Sequence, residues 1–448
     1  MAEQHTVTGT EQDGRFAASL RRDRRFVWRG WAPIDRPDEE YFFLDRGDGW
    51  QVWDNTGKHY VDAVAAAMNS VCGYGHPRLL AAAQDQLRRL PHFDLSVGGH
   101  EAAGLLAERM AALLPGELNR THFTNSGSEA AEAAVRIAVN HWQHKGTERR
   151  RIISFASGYH GTTALAQSLS SLPAALDDVP SGLPVTRVPL PMEPALLRRS
   201  EALTPIMDAF RAAFAADGGP SKVAAVLVEP FLNVGGGIVL PEGFLRELRE
   251  LCDETGALLI LDEVFTGFGR TGRMFGFQHD GVVPDIVMMS KALSSGYLPI
   301  GAVTVTDTVF ESFRNDPVFG GLRYGHTTSG HATACAVALA TLDVIASERL
   351  VDNAVERGKD LIAELSGLAD LPGITDVRGL GLIGVVETAE PTQAQRLLAL
   401  ARDAGLLLRC QGRALLAVPP LTIDADGIKI LADRFCRAAE RFASEVSR

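Results

Sequence analysis

The sequence predicts an α/β fold: a large domain on a mostly parallel central sheet covered by helices, plus a smaller α+β domain. Three observations predict it. Near-continuous apolar runs, AAVLVEP (224–230), LLILDEV (258–264) and DIVMMSK (285–291), mark strands buried on both faces. Helical patterns alternate with these runs, as parallel crossovers require. Beyond His331 the pattern changes to two long amphipathic helices followed by short strands. The expected organisation is an N-terminal segment (1–75) packing with the small domain, a large domain (76–330) and a small C-terminal domain (331–448).

Taken in order, residues 1–14 are polar and read as disordered. Residues 15–60 are aromatic, with Trp28, Trp31, Trp50 and Trp53, and WQVWDNTGKHYVD (50–62) alternates as a hairpin turning at Asn55–Gly57. HPRLLAAAQDQLRRL (76–90) is a helix with Leu79, Ala82, Ala83, Leu87 and Leu90 on one side. A second helix (100–115) stops at Pro115. FTN (123–125) is a short strand leading into a helix over 126–142, with Val135, Ala138, Val139 and Trp142 on one face. RIISF (151–155) is a strand, and the proline-rich stretch 172–194 is a surface excursion. The strand 224–230 precedes a helix over 242–256 that ends at Gly256, the expected left-handed C′ residue. The runs at 258 and 285 and GAVTVT (301–306) are the remaining strands before His331. After the helices at 332–350 and 351–368, GLGLIGVVET (379–388), AGLLLRC (404–410) and RALLAVPPL (413–421) supply short strands.

Composition narrows the function. A formal net charge of -11 over 448 residues argues against broad nucleic-acid binding. The basic clusters RRDRR (21–25) and ERRR (148–151) are local and read as solvated faces. Five cysteines (Cys72, Cys252, Cys335, Cys410, Cys436) lack CxxC or CxH spacing, which points to a reducing compartment and no metal site. The polar N-terminus lacks the apolar core of a signal peptide, and no apolar run approaches a membrane span. The expectation is a cytoplasmic protein.

Two apolar runs deliver Asp262 and Lys291 to their C-terminal ends, where open α/β sheets bind ligands. A carboxylate and an amine arriving together suit pyridoxal phosphate: the lysine forms a Schiff base and the carboxylate pairs with the pyridinium nitrogen. Singly, each has a plainer reading, a solvated lysine and a helix-capping aspartate. Gly267, Gly269 and Gly272 spell the dinucleotide fingerprint, but four residues separate them from the strand and no helical period follows, so that reading is set aside. SGSEA (126–130) opens a helix, where Gly127 and Ser128 suit an anion at the positive end of the dipole. The same residues equally suit a plain serine N-cap. In GYHG (158–161), Tyr159 is placed either to lie on an aromatic cofactor or to pack as core. Val264 is on the same side as Asp262 and suits the opposite ring face. A lysine of depressed pKa suits proton transfer at the substrate carbon.

These motifs together resemble the class III (ω-type) pyridoxal phosphate aminotransferases of fold type I. The resemblance rests on TNSGSEA (124–130), GYHG, VEP (228–230), LDEVFTGFGRTG (261–272), SKAL (290–293), HTTSGHA (326–332) and RGLGLIG (378–384), in the family's order and spacing. It implies that Lys291 is the Schiff-base lysine and Asp262 the pyridinium partner. Gly127 and Ser128 would bind phosphate, Tyr159 would stack on the ring with His160 beside it, Val264 would pack beneath, and Glu229 would lie on the substrate side. Thr327 matches the family threonine that reaches the phosphate of the neighbouring subunit, so a homodimer with shared sites is implied. The implied reaction is a ping-pong transfer of an amino group from an amino acid or amine donor to a ketone or aldehyde. A racemase, aminomutase or decarboxylase would share Asp262 and Lys291, and a non-catalytic homologue acting as a binding protein is the remaining alternative.

Substrate recognition is where the chain departs from its relatives. Arg409, ten positions before Pro419, resembles the carboxylate-binding arginine of the ω-amino acid:pyruvate and diaminopelargonate branches, with Arg413 as competitor. The GABA and ornithine branches carry an arginine where this chain has Leu416. The paired tryptophans of diaminopelargonate aminotransferase are replaced by Ala67 and Met68, and its YHGD ends here in Thr162. Thr328 stands where an aromatic residue is frequent. Met68 and Trp31 are the candidate pocket residues on the N-terminal side, and the expected acceptor is not that of biotin synthesis.

Overall fold

The computed structural model describes residues 9–171 and 182–447. The alternation at 50–62 folds as a hairpin: β1 (Leu44–Asp48), β2 (Gln51–Asp54) and β3 (His59–Asp62) form an antiparallel meander. Asp54 Oδ1 closes the β2–β3 turn by accepting the Thr56 and Lys58 N–H groups at 3.0 Å each. The polar start departs from expectation. A helix spans Gly9–Phe26, so residues 9–14 are helical, and residues 1–8 lie outside the described residues. Its glutamate, glutamine, alanine and arginine residues are good helix formers, and no proline interrupts them.

The central sheet has seven strands. They are β4 (Leu118–Thr124), β5 (Arg151–Phe155), β6 (Val185–Val188), β7 (Val223–Val228), β10 (Leu258–Asp262), β11 (Ile286–Met289) and β12 (Gly301–Thr306). Between β7 and β10 lies a small hairpin, β8 (Phe231–Leu232) and β9 (Ile238–Val239). The strand order is β4-β12-β11-β10-β7-β5-β6. From β11 to β6 every neighbour is parallel, whereas β12 runs antiparallel to β11 and β4. GAVTVT is therefore the one reversed strand. Residues 290–300 turn tightly and supply no crossover helix, and without one a following strand must reverse. Of the stretch 172–194, residues 172–181 lie outside the described residues, and 185–188 is the edge strand β6 rather than a surface excursion. Pro184 and Pro189 flank it, as an edge position tolerates.

Period-two alternation pins the sheet between two cores. Leu259, Leu261, Val287 and Met289 face the helix Phe244–Thr255, while Leu258, Ile260, Ile286 and Met288 face the helix Gly127–His144. Each fully buried aliphatic side chain contributes about 1.5–3 kcal/mol. The strand ends, where the reactive residues lie, are thus held by the most buried part of the molecule. Gly256 ends its helix in the left-handed conformation (φ 69°). On the helix Pro77–Arg89 only Leu79 is fully buried, and Leu87 is 51% exposed.

The C-terminal part adds β13 (Ile374–Gly379), β14 (Gly384–Thr388), β15 (Leu406–Leu407), β16 (Arg409–Gln411) and β17 (Ala414–Ala417). Four of these form an antiparallel sheet in the order β13-β14-β17-β16. β15 instead pairs in parallel with β3, joining the N-terminal meander to the C-terminal part. Backbone bonds from Val418 to Ala63 and from Leu421 to Val71 extend that junction.

Candidate active site

Five parallel strands end at one place. Gly127 and Ser128 follow β4, Tyr159 and His160 follow β5, Glu229 follows β7, Asp262 closes β10 and Lys291 follows β11. All seven residues line one cavity of about 160 Å³, together with Ser126, Gly161, Asn233, Val234, Val264 and Phe265.

The cradle comes from the helix start after β4. Ser126 Oγ accepts the Glu129 N–H at 3.2 Å, so the N-cap reading holds. The remaining N–H groups of the first turn have no partner within the helix and suit an anion. Glycine is needed at two places. A Cβ on Gly127 would lie 3.0 Å from Val264 Cγ1, and one on Gly161 (φ 126°) would lie 2.4 Å from Ser128 Oγ.

Opposite the cradle sits a buried acid–base set. Asp262 Oδ2 lies 2.8 Å from His160 Nδ1, and Asp262 Oδ1 accepts the Val264 N–H at 3.0 Å. His160 Nε2 lies 3.1 Å from Ser154 Oγ. Burial disfavours the imidazolium, but the hydrogen bond and charge of Asp262, with Glu229 beyond, outweigh it and raise the His160 pKa. Glu229 accepts the N–H groups of Tyr159 (3.0 Å) and Asn233 (3.4 Å). Burial pushes its carboxyl up to about 7. Burial also raises the Tyr159 phenol.

Lys291 stands in the middle. Among the described residues its Nζ makes no hydrogen bond or ion pair, and it sits 5.8 Å from the centroid of the Phe265 ring. Burial lowers its pKa, against the pull of Asp262 and Glu229. Its backbone lies in the left-handed region (φ 39°), a conformation that costs a non-glycine residue about 1–3 kcal/mol.

The substrate candidates separate. Arg413 is engaged: its Nη2 lies 2.9 Å from Glu193 and 3.0 Å from Glu387. Arg409 has no hydrogen bond or ion pair among the described residues; its positive charge partly offsets the burial that raises Tyr159 and adds to the burial that lowers Lys291. It lines a second cavity, about 480 Å³, with Asp62, Ala66 and Tyr74. Met68 is buried behind the pocket wall, its Sδ 3.1 Å from Asn233 Nδ2. Trp31 is 63% exposed and takes no part in its own chain's cavity. Thr327 is exposed and also absent from that cavity, while its carbonyl accepts from His92 Nε2 at 2.8 Å. Thr328 Oγ1 donates to Asn125 Oδ1 at 2.9 Å, next to the cradle.

Sequence reasoning missed Asn233 and Phe265. Asn233 is buried with its Oδ1 unpartnered, and the signal was the NVGGG run after VEP. Phe265 follows Val264 directly but carries no polar group to single it out.

The residues lining the cavity suit a planar phosphorylated aldehyde: free N–H groups at a helix start, a buried acid, Tyr159 and Val264 in the wall, and an amine unpaired among the described residues. That set defines a pyridoxal phosphate enzyme of fold type I. The chain belongs to the class-III aminotransferase family, whose model matches residues 34–439. It is 34% identical to the adenosylmethionine-8-amino-7-oxononanoate aminotransferase of Geobacter sulfurreducens, over 92% of this chain and 95% of that one. It is 33% identical to the beta-alanine–pyruvate aminotransferase of Pseudomonas aeruginosa, over 76% and 78%. The ω-transaminase of Pseudomonas jessenii in complex with PMP superposes with a TM-score of 0.90 at 31% identity, covering 95% of this chain and 98% of that one. The protein is a pyridoxal-phosphate-dependent class III aminotransferase, acting on an amine donor and a carbonyl acceptor.

Proposed function

We propose the following division of labour. Lys291 would hold the cofactor through Nζ and would carry the proton at the substrate α-carbon. Burial depresses its pKa, which favours the free amine that can accept that proton. Asp262, oriented by His160 and the Val264 N–H, holds the proton on the ring nitrogen. Gly127 and Ser128 would take the phosphate, and Tyr159 and Val264 would pack against the ring. When bound, pyridoxal phosphate supplies an electron sink conjugated to the substrate nitrogen. Glu229 lines the substrate side, and Arg409 takes a donor carboxylate, since a free guanidinium suits it bidentately.

The observation that carries this reading is the Lys291 amine, unpaired among the described residues, in one cavity with Asp262 and the helix start at Gly127. Lys291→Ala should lower turnover about a thousandfold or more while leaving the fold intact by thermal melting. Normal turnover in that variant would refute it.

The active form is proposed to be a homodimer. Thr327 is exposed and is not among the residues lining its own chain's cavity, and apolar Leu87, Phe93, Val318 and Phe319 stand exposed in the same chain. Domains over 76–330 for the cofactor and 331–448 with 1–75 for the substrate arginine follow the strand pairing of β15 with β3. A cytoplasmic location is supported by five free cysteines, and among the described residues no helix is long and apolar enough to cross a membrane. With Ala67 and Met68 for the paired tryptophans, the acceptor is proposed to differ from 8-amino-7-oxononanoate.

A further inference from the structure

Arg378 lies outside the cofactor cavity and is fully buried. It sits on β13, and its guanidinium spans two parts of the molecule. Nε donates to Gly237 O at 2.7 Å and Nη2 donates to Gly236 O at 2.7 Å. Nη1 bonds Asp376 at 2.8 Å and Glu387 at 2.5 Å. The two carbonyls belong to the turn that begins at Asn233 and Val234 in the cavity wall. Both glycines have positive φ (118° and 64°), so the turn adopts a shape that other residues resist. A Cβ on Gly237 would meet Val385 on β14 at 2.9 Å and Leu416 on β17 at 3.5 Å. Leu416 is the direct cross-strand partner of Arg409. The far end of the same hairpin is moored by Arg413, on Glu387 and Glu193, while Arg409 itself is unpaired among the described residues.

We infer that Arg378 is a positioning residue for substrate selection: it clamps the sheet carrying Arg409 onto the Asn233–Gly237 turn and so sets where Arg409 meets a substrate carboxylate. This rests on the reading of Arg409 as the carboxylate-binding residue. A planar fork is needed, because four acceptors lie in different directions and an ammonium cannot meet the two carbonyls in the same way. Arg378→Gln leaves neither acid without an arginine, since Asp376 keeps Arg198 (2.9 Å) and Glu387 keeps Arg413 (3.0 Å).

The test compares an amino-acid donor with an uncharged primary amine of similar size, in Arg378→Gln, Arg409→Ala and the double variant. Arg378→Gln should raise KM for the amino acid about ten- to a hundredfold, with the uncharged amine changed less than about threefold, because a small misplacement of a binding group has effects of that size. Cofactor retention, read by visible absorbance, should be unchanged. The double variant should be no worse than Arg409→Ala alone. Equal losses for both donors would reduce Arg378 to a structural role and overturn the inference. A selective effect of Arg409→Ala without one from Arg378→Gln would overturn it while leaving the Arg409 reading intact. No selective effect from Arg409→Ala would overturn both. Should Arg378→Gln fail to fold, Arg378→Lys decides, with a smaller shift in the same direction expected.

Discussion

Burial acts on Lys291 and Glu229 in opposite directions within one cavity. It weakens the lysine's hold on a proton and strengthens the carboxyl's, to about 7. An aldehyde cofactor would be held through the neutral Nζ, so its uptake by the apoprotein should quicken as pH rises through the lysine pKa. Asp262, and Glu229 above about pH 7 where it is ionised, raise that pKa against the effect of burial. Glu229→Gln removes one of them, so the midpoint of the uptake rate should move to lower pH, measured by stopped-flow absorbance. A midpoint that stays or rises would show that Glu229 does not act on Lys291. At this scale the sequence was legible where chemistry is carried by charge. Asp262 and Lys291 stand at strand ends with telling flanks. Asn233 and Phe265 are ordinary residue types whose place in the wall comes only from tertiary packing. Arg409 and Arg413 were separable only once the carboxylates facing Arg413 were seen, and those come from residues 193 and 387.

At the scale of an element, the loop after β10 shows how a glycine pattern is put to use. Asp262 points into the cavity, while the neighbouring Glu263 is fully buried and gathers the loop. Its carboxyl meets Thr266 Oγ1 (2.6 Å) and the N–H groups of Gly276 (2.9 Å) and Phe277 (2.8 Å). The glycines of GFGRTG let the chain double back onto that carboxyl, which is why no helix follows them. Burial pushes Glu263 up to about 7, so the folded state favours its protonated form. Stability from this group is complete below its ordinary value near 4.5 and is lost as pH rises through about 7. Glu263→Gln cannot accept from both N–H groups and should cost about 1–3 kcal/mol at pH 5. It should also flatten part of the fall in melting temperature between pH 4.5 and 8. An unchanged pH profile would refute the assignment. The long apolar strands and amphipathic helices were readable from period alone. The edge strand β6 was hidden among prolines, and the reversal of β12 depends on a connection too short for a helix, which apolarity does not encode.

For the whole molecule, the helix Pro77–Arg89 leaves Leu87 and Leu90 outside, and Phe93 and Val97 continue the apolar strip. Covering an exposed leucine contributes about 1.5–3 kcal/mol. Replacing Leu87 and Phe93 by glutamate should split the proposed dimer in sedimentation velocity. It should also weaken cofactor retention if, as proposed, Thr327 of one chain completes the other's cradle. Persistence of a dimer with full cofactor would place the interface elsewhere. The helix stripe was legible in the sequence, but its failure to bury was not, since a stripe does not say which chain covers it.

The left-handed backbone at Lys291 reaches beyond geometry. Only glycine adopts that conformation without strain, and glycine has no amine. The reactive residue therefore carries a backbone strain that only a glycine at 291 would relieve. Selection for heat resistance alone would drift away from lysine at 291, and only selection for turnover holds it there.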